Sequence, residues 1–504
     1  MATKRDFTQH YRFLMGVACG VLVTGVVLPF AIGEREGGSK SVVGESSGTV
    51  GDNTGSGPGT RGPGTDQGST ATGDASAASD PSGNTVTTGG PSRPGETSPS
   101  DSGGTGGTTD QGVSADRIKL GIVLTDASNP LGMDTGSAGP QEQQDQWRAL
   151  IAELNEHGGV AGRKIDPVFR VAAILDKDQQ RATCIQLAKD DKVFAVLDAG
   201  GATSAELAPC YTVEHGLPLM GSGAVGIWDD AFANSQGLMF ILQQRGSRQM
   251  RNFAAELAAT GRVKGKICGI IGDGWQGASP KAGEMLQTEL EKHGCKVVRR
   301  ETMSADLATG SSQIPVAVQQ MRASGANSVW FLVNPVYATQ FVQNAEGQGY
   351  LPDYNLTDWL AGAIDFTLQN MPPGFFDRAA GVTSGRVGEG RANMPEIPES
   401  AACREIVERR TGRKLDRNSL GFGTPITACS ELQLFAKAAG AVGPNLTRTA
   451  FAGAMSRLGA FTPGFQSPGT FAPGKPDLAD GVRTLVARDS CKCWVAAGPF
   501  HQTG

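Results

Sequence analysis

Apolar residues along this chain fall into two alternating rhythms. Ile118-Lys119-Leu120-Gly121-Ile122-Val123-Leu124 is a short, nearly continuous apolar run bounded by the turn formers Asp126, Asn129 and Pro130, which predicts a buried strand. Trp147, Leu150, Ile151 and Leu154 then recur at spacings of three and four, the stripe of an amphipathic helix. Gly158 and Gly159 can stop that helix, and Gly162 can turn the chain into a second strand near Ile165. Strand, loop, helix, turn and strand make a βαβ unit, and hence a parallel sheet.

The theme repeats. Val193-Phe194-Ala195-Val196-Leu197, Leu217-Pro218-Leu219-Met220 and Leu238-Met239-Phe240-Ile241-Leu242 predict three more strands. Lys266 to Ile271, Cys295 to Val298 and Val329 to Val333 predict a second series with helices between. The fold class this implies is α/β, with doubly wound parallel sheets. In such sheets ligands bind outside the carboxyl ends of the strands. Thr203, Ser204, Ser222, Gly223, Gln243, Trp275, Gln276 and Asn334 stand at those ends. Each alone is ordinary turn chemistry; as a set at successive strand ends they are the candidate ligand-binding residues.

The amino-terminal part is of another kind. Phe13 to Ile32 holds no charged residue and follows Lys4, Arg5 and Arg12; as a helix it spans about 30 Å. It reads as a membrane anchor at 13–33 with residues 1–12 in the cytoplasm and the remainder outside. A cleaved signal peptide, with Ala31-Ile32-Gly33 as the small-residue site, is the alternative. Lipidation at Cys19 fits less well, because most of the apolar run follows that cysteine. Residues 34–114 are rich in Gly, Ser, Thr and Pro, a composition that cannot bury enough apolar area to offset its ordering entropy. They are expected to be a disordered tether.

Net charge is −5 and the pI about 5.7, which gives no reason to propose a nucleic-acid partner. Gly272-Asp273-Gly274-Trp275-Gln276-Gly277 matches G-x-G-x-x-G after a strand. Trp275 would crowd a pyrophosphate, and a nicotinamide is out of place beyond a membrane segment, so no cofactor is expected. No nucleophile or metal-protease motif occurs, so an enzyme is not expected. Eight cysteines follow the apolar segment and none shows C-x-x-C spacing, which favours disulfides in an oxidising compartment over zinc. Cys268 and Cys295 fall on consecutive strands and can pair if those strands are neighbours. Cys403 and Cys429 sit on two late helices. They pair with each other, or each with one of Cys491 and Cys493.

The run Leu154-Asn155-Glu156-His157-Gly158-Gly159-Val160-Ala161-Gly162-Arg163-Lys164-Ile165, placed after such a strand and helix, resembles the first βαβ unit of type I periplasmic binding proteins. The branch is the one containing the leucine/isoleucine/valine-binding components of ABC importers, and the resemblance extends over 115–504. It implies two lobes, the first about 115–244 and 375–460, the second about 245–374 and 461–504. It implies capture of a small polar organic ligand, an amino acid or related carboxylate or amide, and delivery to an ABC transporter permease. The alternative is a tethered ligand-sensing receptor domain that signals to a partner protein. By resemblance, Thr203-Ser204 and Ser222-Gly223 would hold a ligand carboxylate, with Val225 where a second hydroxyl is usual. Asp358 could meet an amine, Arg245 stands at the crossover where an acid is usual, and Trp275, Tyr337 and Trp359 would wall the pocket. The spacing of Cys184 and Cys210 resembles the family's first-lobe disulfide.

Overall fold

The computed structural model describes residues 107–126, 138–174, 176–223, 226–274 and 279–503. The expected anchor, most of the expected tether, and Trp275, Gln276 and Val225 lie outside the described residues. The ordered domain begins earlier than residue 115. Val113 is buried, Arg448 N–H donates to the Asp110 carboxylate at 2.7 Å, and Val113 bridges to Ile118.

Strand β1 (Arg117–Asp126) leads to helix α1 (Pro140–Glu156), which buries Trp147, Leu150 and Ile151. The chain then turns through Gly158 and Gly159, at φ of 95° and 67°, into β2 (Lys164–Ala173). Helix α2 (Lys177–Ile185), β3 (Ala195–Asp198), β4 (Leu219–Gly221) and β5 (Met239–Ile241) complete a parallel sheet in the order β2-β1-β3-β4-β5. Strands β1 and β3 are buried along most of their length because helices cover both faces of the sheet, which is why they read as continuous apolar runs.

The second half repeats this plan. Helix α3 (Gly246–Ala259) precedes β6 (Ile267–Asp273), α4 (Ser279–Lys292), β7 (Lys296–Met303), α5 (Leu307–Ala323), β8 (Ser328–Leu332), α6 (Pro335–Gly347), β9 (Asp353–Thr357) and β10 (Ala379–Thr383). Its sheet runs β7-β6-β8-β9-β10, the same order as in the first half, and is extended by antiparallel β13 (Gly481–Arg488) and β14 (Cys493–Ala496). Between β10 and β13 the chain returns to the first lobe. Helices α7 (Pro398–Thr411), α8 (Gly423–Val442) and α9 (Arg448–Ser456) pack on the first sheet's core, as does the hairpin of β11 (Gly459–Phe461) and β12 (Gly469–Phe471).

Both return crossovers therefore come later than expected. Strand β10 pairs with β9 and so belongs to the second lobe, although it follows residue 374. Phe471 and Leu478 belong to the first lobe's core, although they follow residue 460.

The disulfides are Cys184–Cys210, Cys268–Cys295, Cys403–Cys429 and Cys491–Cys493. The cross-pairing of Cys403 and Cys429 with the last two cysteines does not occur: α7 and α8 pack side by side and place their cysteines together. The three long-range bridges each close a loop whose chain entropy is worth roughly 3–4 kcal/mol. Among the described residues no helix is long and apolar enough to cross a membrane.

Candidate functional site

All parallel strands of one sheet end along one edge, and both sheets bring their candidate residues to such an edge. In the first lobe β3 ends on Asp198, whose buried carboxylate accepts the N–H groups of Ala202 at 3.0 Å and Thr203 at 2.6 Å. Burial pushes the Asp198 carboxyl above its usual range, and the bonds from the Thr203 and Ala202 segment partly oppose that shift. The Thr203 hydroxyl hydrogen-bonds Asp198 and the Tyr211 phenol, itself pushed up by burial and by the Asp198 charge. Asp198, Gly201, Thr203, Ser222 and Gly223 line one shallow recess, with Ile227 and Ile241 as apolar wall. Three of the predicted residues thus meet. Asp198 is the organiser that sequence reading passed over, although its place as last residue of a buried strand was visible.

In the second lobe β6 ends on buried Asp273, which accepts the backbone and side-chain N–H groups of Asn334 at 3.0 and 3.1 Å. Asn334 caps α6 by accepting the Tyr337 N–H at 3.1 Å. The Tyr337 hydroxyl donates to the Ser304 and Asp306 carbonyls, and burial pushes it up to about 12. Asp358, after β9, accepts the Ser384 N–H at 2.7 Å and its hydroxyl at 2.9 Å; burial raises its carboxyl. The polar atoms of Asn334 and Tyr337 are therefore committed to capping and core, and Asp358 ties β9 to β10.

Trp359 joins the lobes. Its ring meets Trp228 edge-on, with centroids 6.3 Å apart. Gly226 and Gly246 admit the pair: a Cβ at Gly226 would lie 2.8 Å from Trp359, and one at Gly246 2.4 Å from Trp228. Gly226→Ala also faces a φ of 76°. It is expected to lower stability by about 2 kcal/mol, read as a drop in denaturation midpoint.

Arg245 is half-buried and ion-paired, so it does not stand as a free cation at the crossover. Its Nε lies 3.4 Å from Asp229 and 3.8 Å from Asp477. Asp477 also accepts the Arg245 N–H at 3.2 Å and pairs with Arg248. Arg248 reaches Asp480 at 2.9 Å. The acids that seemed missing from the crossover come from distant sequence, and they serve to lock it.

Four uncharged side chains at these strand ends keep a buried polar atom with no hydrogen-bond partner among the described residues: Thr125 Oγ1 near the end of β1, Ser204 Oγ after β3, Gln243 Oε1 after β5 and Trp359 Nε1 after β9. Buried polar groups are nearly always paired in native proteins, so these four groups stand out among the strand-end residues. The hydroxyls can donate or accept, the amide oxygen accepts, and the indole donates. None of the four is charged.

Glu431 on α8 lies behind this edge, fully buried beside Asp198. Burial and the Asp198 charge raise its carboxyl well above the usual range. A raised folded-state value destabilises the fold as pH rises above the unfolded value of 4.5. Glu431→Gln is thus expected to raise the melting temperature by a few degrees at pH 8, and the gain should vanish at pH 4, where both states are protonated. Calorimetry across that range reads the difference.

A family model described as Periplasmic binding protein matches residues 130–479. The fatty acid ABC transporter substrate-binding protein of Thermomonospora curvata superposes with TM-score 0.57 at 16% identity, over 78% of this chain and 95% of that one. An ABC transporter substrate-binding protein of Desulfitobacterium hafniense in complex with Leu gives 0.54 at 14% identity, over 76% and 100%. A solute-binding protein of Rhodopseudomonas palustris in complex with 4-hydroxybenzoate gives 0.59 at 15%, over 77% and 98%. No curated protein matches by sequence.

Proposed function

Because the chain belongs to the periplasmic binding protein family, we propose that it captures a small polar organic ligand between its lobes and hands it to an ABC importer permease. The apolar segment at 13–33 anchors it in this reading, and the tether holds the domain clear of the membrane. One observation supports the ligand site above others: the unpartnered Thr125, Ser204, Gln243 and Trp359 atoms, contributed by both lobes. They favour a ligand with both donors and acceptors, an amino acid or a related carboxylate or amide. Arg245 is occupied by Asp229 and Asp477, which argues against a site built around one cation for a simple anion.

A thermal-shift screen tests the proposal. Its panel holds amino acids, hydroxybenzoates, fatty acids, amides, polyamines and sugars, the first three because relatives are named for or bound to such compounds. A saturable rise in melting temperature with one class is expected, because a ligand of the native state stabilises it. A flat response across the panel from a folded protein would move the reading toward a receptor domain.

A further inference from the structure

Three of the four disulfides join cysteines 26 or 27 residues apart, whereas Cys491 and Cys493 are separated by 2. A cross-link stabilises mainly by restricting the unfolded chain, and that gain grows with the loop it closes. A ring around one residue restricts almost nothing. The hairpin that carries it is held by other means. Strands β13 and β14 pair from Leu485 with Ala496 to Arg488 with Cys493. Lys492 N–H donates to Asp489 O at 3.2 Å, and its ammonium sits 4.3 Å over the Phe376 ring. Trp494 is fully buried, and its backbone N–H donates to the Asp365 carboxylate at 2.8 Å. The ring also holds Lys492 at φ 50°, a left-handed conformation costly for a residue with a Cβ.

The two sulfurs are unlike in access. Cys491 is exposed and Cys493 is 2% exposed. Exposed or strained disulfides are the ones that exchange, and attack follows access. We propose that Cys491–Cys493 is a thiol–disulfide exchange site for small thiols, entered at Cys491. An incoming thiolate bonds to Cys491 Sγ, the Sγ–Sγ bond breaks, and Cys493 leaves as a thiolate that takes a proton from solvent. A second thiolate attacks the incoming sulfur of the mixed disulfide, releasing the two small thiols as their disulfide and Cys491 as a thiolate that also takes a proton from solvent. The protein is reduced by two electrons and the small thiols are oxidised by two; the small disulfide runs the sequence backwards.

The test incubates the folded protein in a graded series of reduced and oxidised glutathione, then traps thiols by alkylation and maps them by peptide mass. The expected result is half-reduction of Cys491–Cys493 where less than about a tenth of any other disulfide has opened. Under limiting glutathione the mixed disulfide should be found on Cys491. The double substitution Cys491→Ser, Cys493→Ser should leave the melting temperature within about 2 °C of the parent. Opening together with or after the other bridges, a mixed disulfide on Cys493, or a double variant that melts far lower would each overturn the proposal.

Discussion

Asp477→Ala is expected to lower stability by about 3–5 kcal/mol, the range for breaking a buried ion pair from one side. The Asp477 side chain is wholly buried and that of Arg248 is 5% exposed. Removing the carboxylate strands the guanidinium in the crossover, with only Asp480 to meet it. The Arg245 N–H loses its acceptor as well. The loss reaches further because the Asp477 segment runs beside β5: Ile241 N–H donates to Pro476 O at 3.1 Å and Leu478 N–H to Ile241 O at 2.9 Å. Denaturant unfolding reads the change as a fall in midpoint. A cost below about 1 kcal/mol would mean that the crossover is held by packing alone and that these charges are solvated in practice.

Trp359→Phe separates the two roles of that side chain. The aromatic ring fills the space against Trp228, Gly226 and Gly246, and phenylalanine retains much of it. The indole N–H is buried and unpartnered, and the substitution deletes it. A free buried donor costs about 1–3 kcal/mol, so the unliganded variant is expected to be as stable as the parent despite the smaller ring. Ligand affinity is expected to fall roughly 5- to 150-fold, the same energy seen from the bound state. Calorimetric titration and thermal melts of the same sample check both halves. Loss of stability with unchanged affinity would place Trp359 in the interlobe core only.

Strands buried on both faces were legible because they read as unbroken apolar runs, as at Ile118–Leu124 and Val193–Leu197. The two-lobed plan came from the resemblance at Leu154–Ile165 and agrees with the family match and the two repeated sheets. The return crossovers were misplaced for a physical reason. Strand β10 is Ala-Ala-Gly-Val-Thr, too small and too short to stand out, and the Phe471 to Asp480 segment has no period of its own. At the site, sequence position identified the residues at strand ends but not which of their atoms remain free. Thr203, Asn334 and Tyr337 carry the right groups, yet Asp198, Asp273 and the Ser304 carbonyl already engage them. Asp477 and Glu431 were missed because the groups they lie beside, Arg248 and Asp198, are more than 200 residues away in sequence, and only the fold brings them together.

In the proposed complex a ligand completes the hydrogen bonds left open at the strand ends. Isothermal titration of the ligand found by thermal shift, into the parent and into the Ser204→Ala, Gln243→Leu double variant, tests this. Ser204 Oγ and Gln243 Oε1 have no partner among the described residues, so the variant should melt close to the parent's temperature. Kd is expected to rise about 100-fold, two hydrogen bonds at somewhat over 1 kcal/mol each. An unchanged Kd in a folded variant would contradict it and place the ligand elsewhere on the molecule.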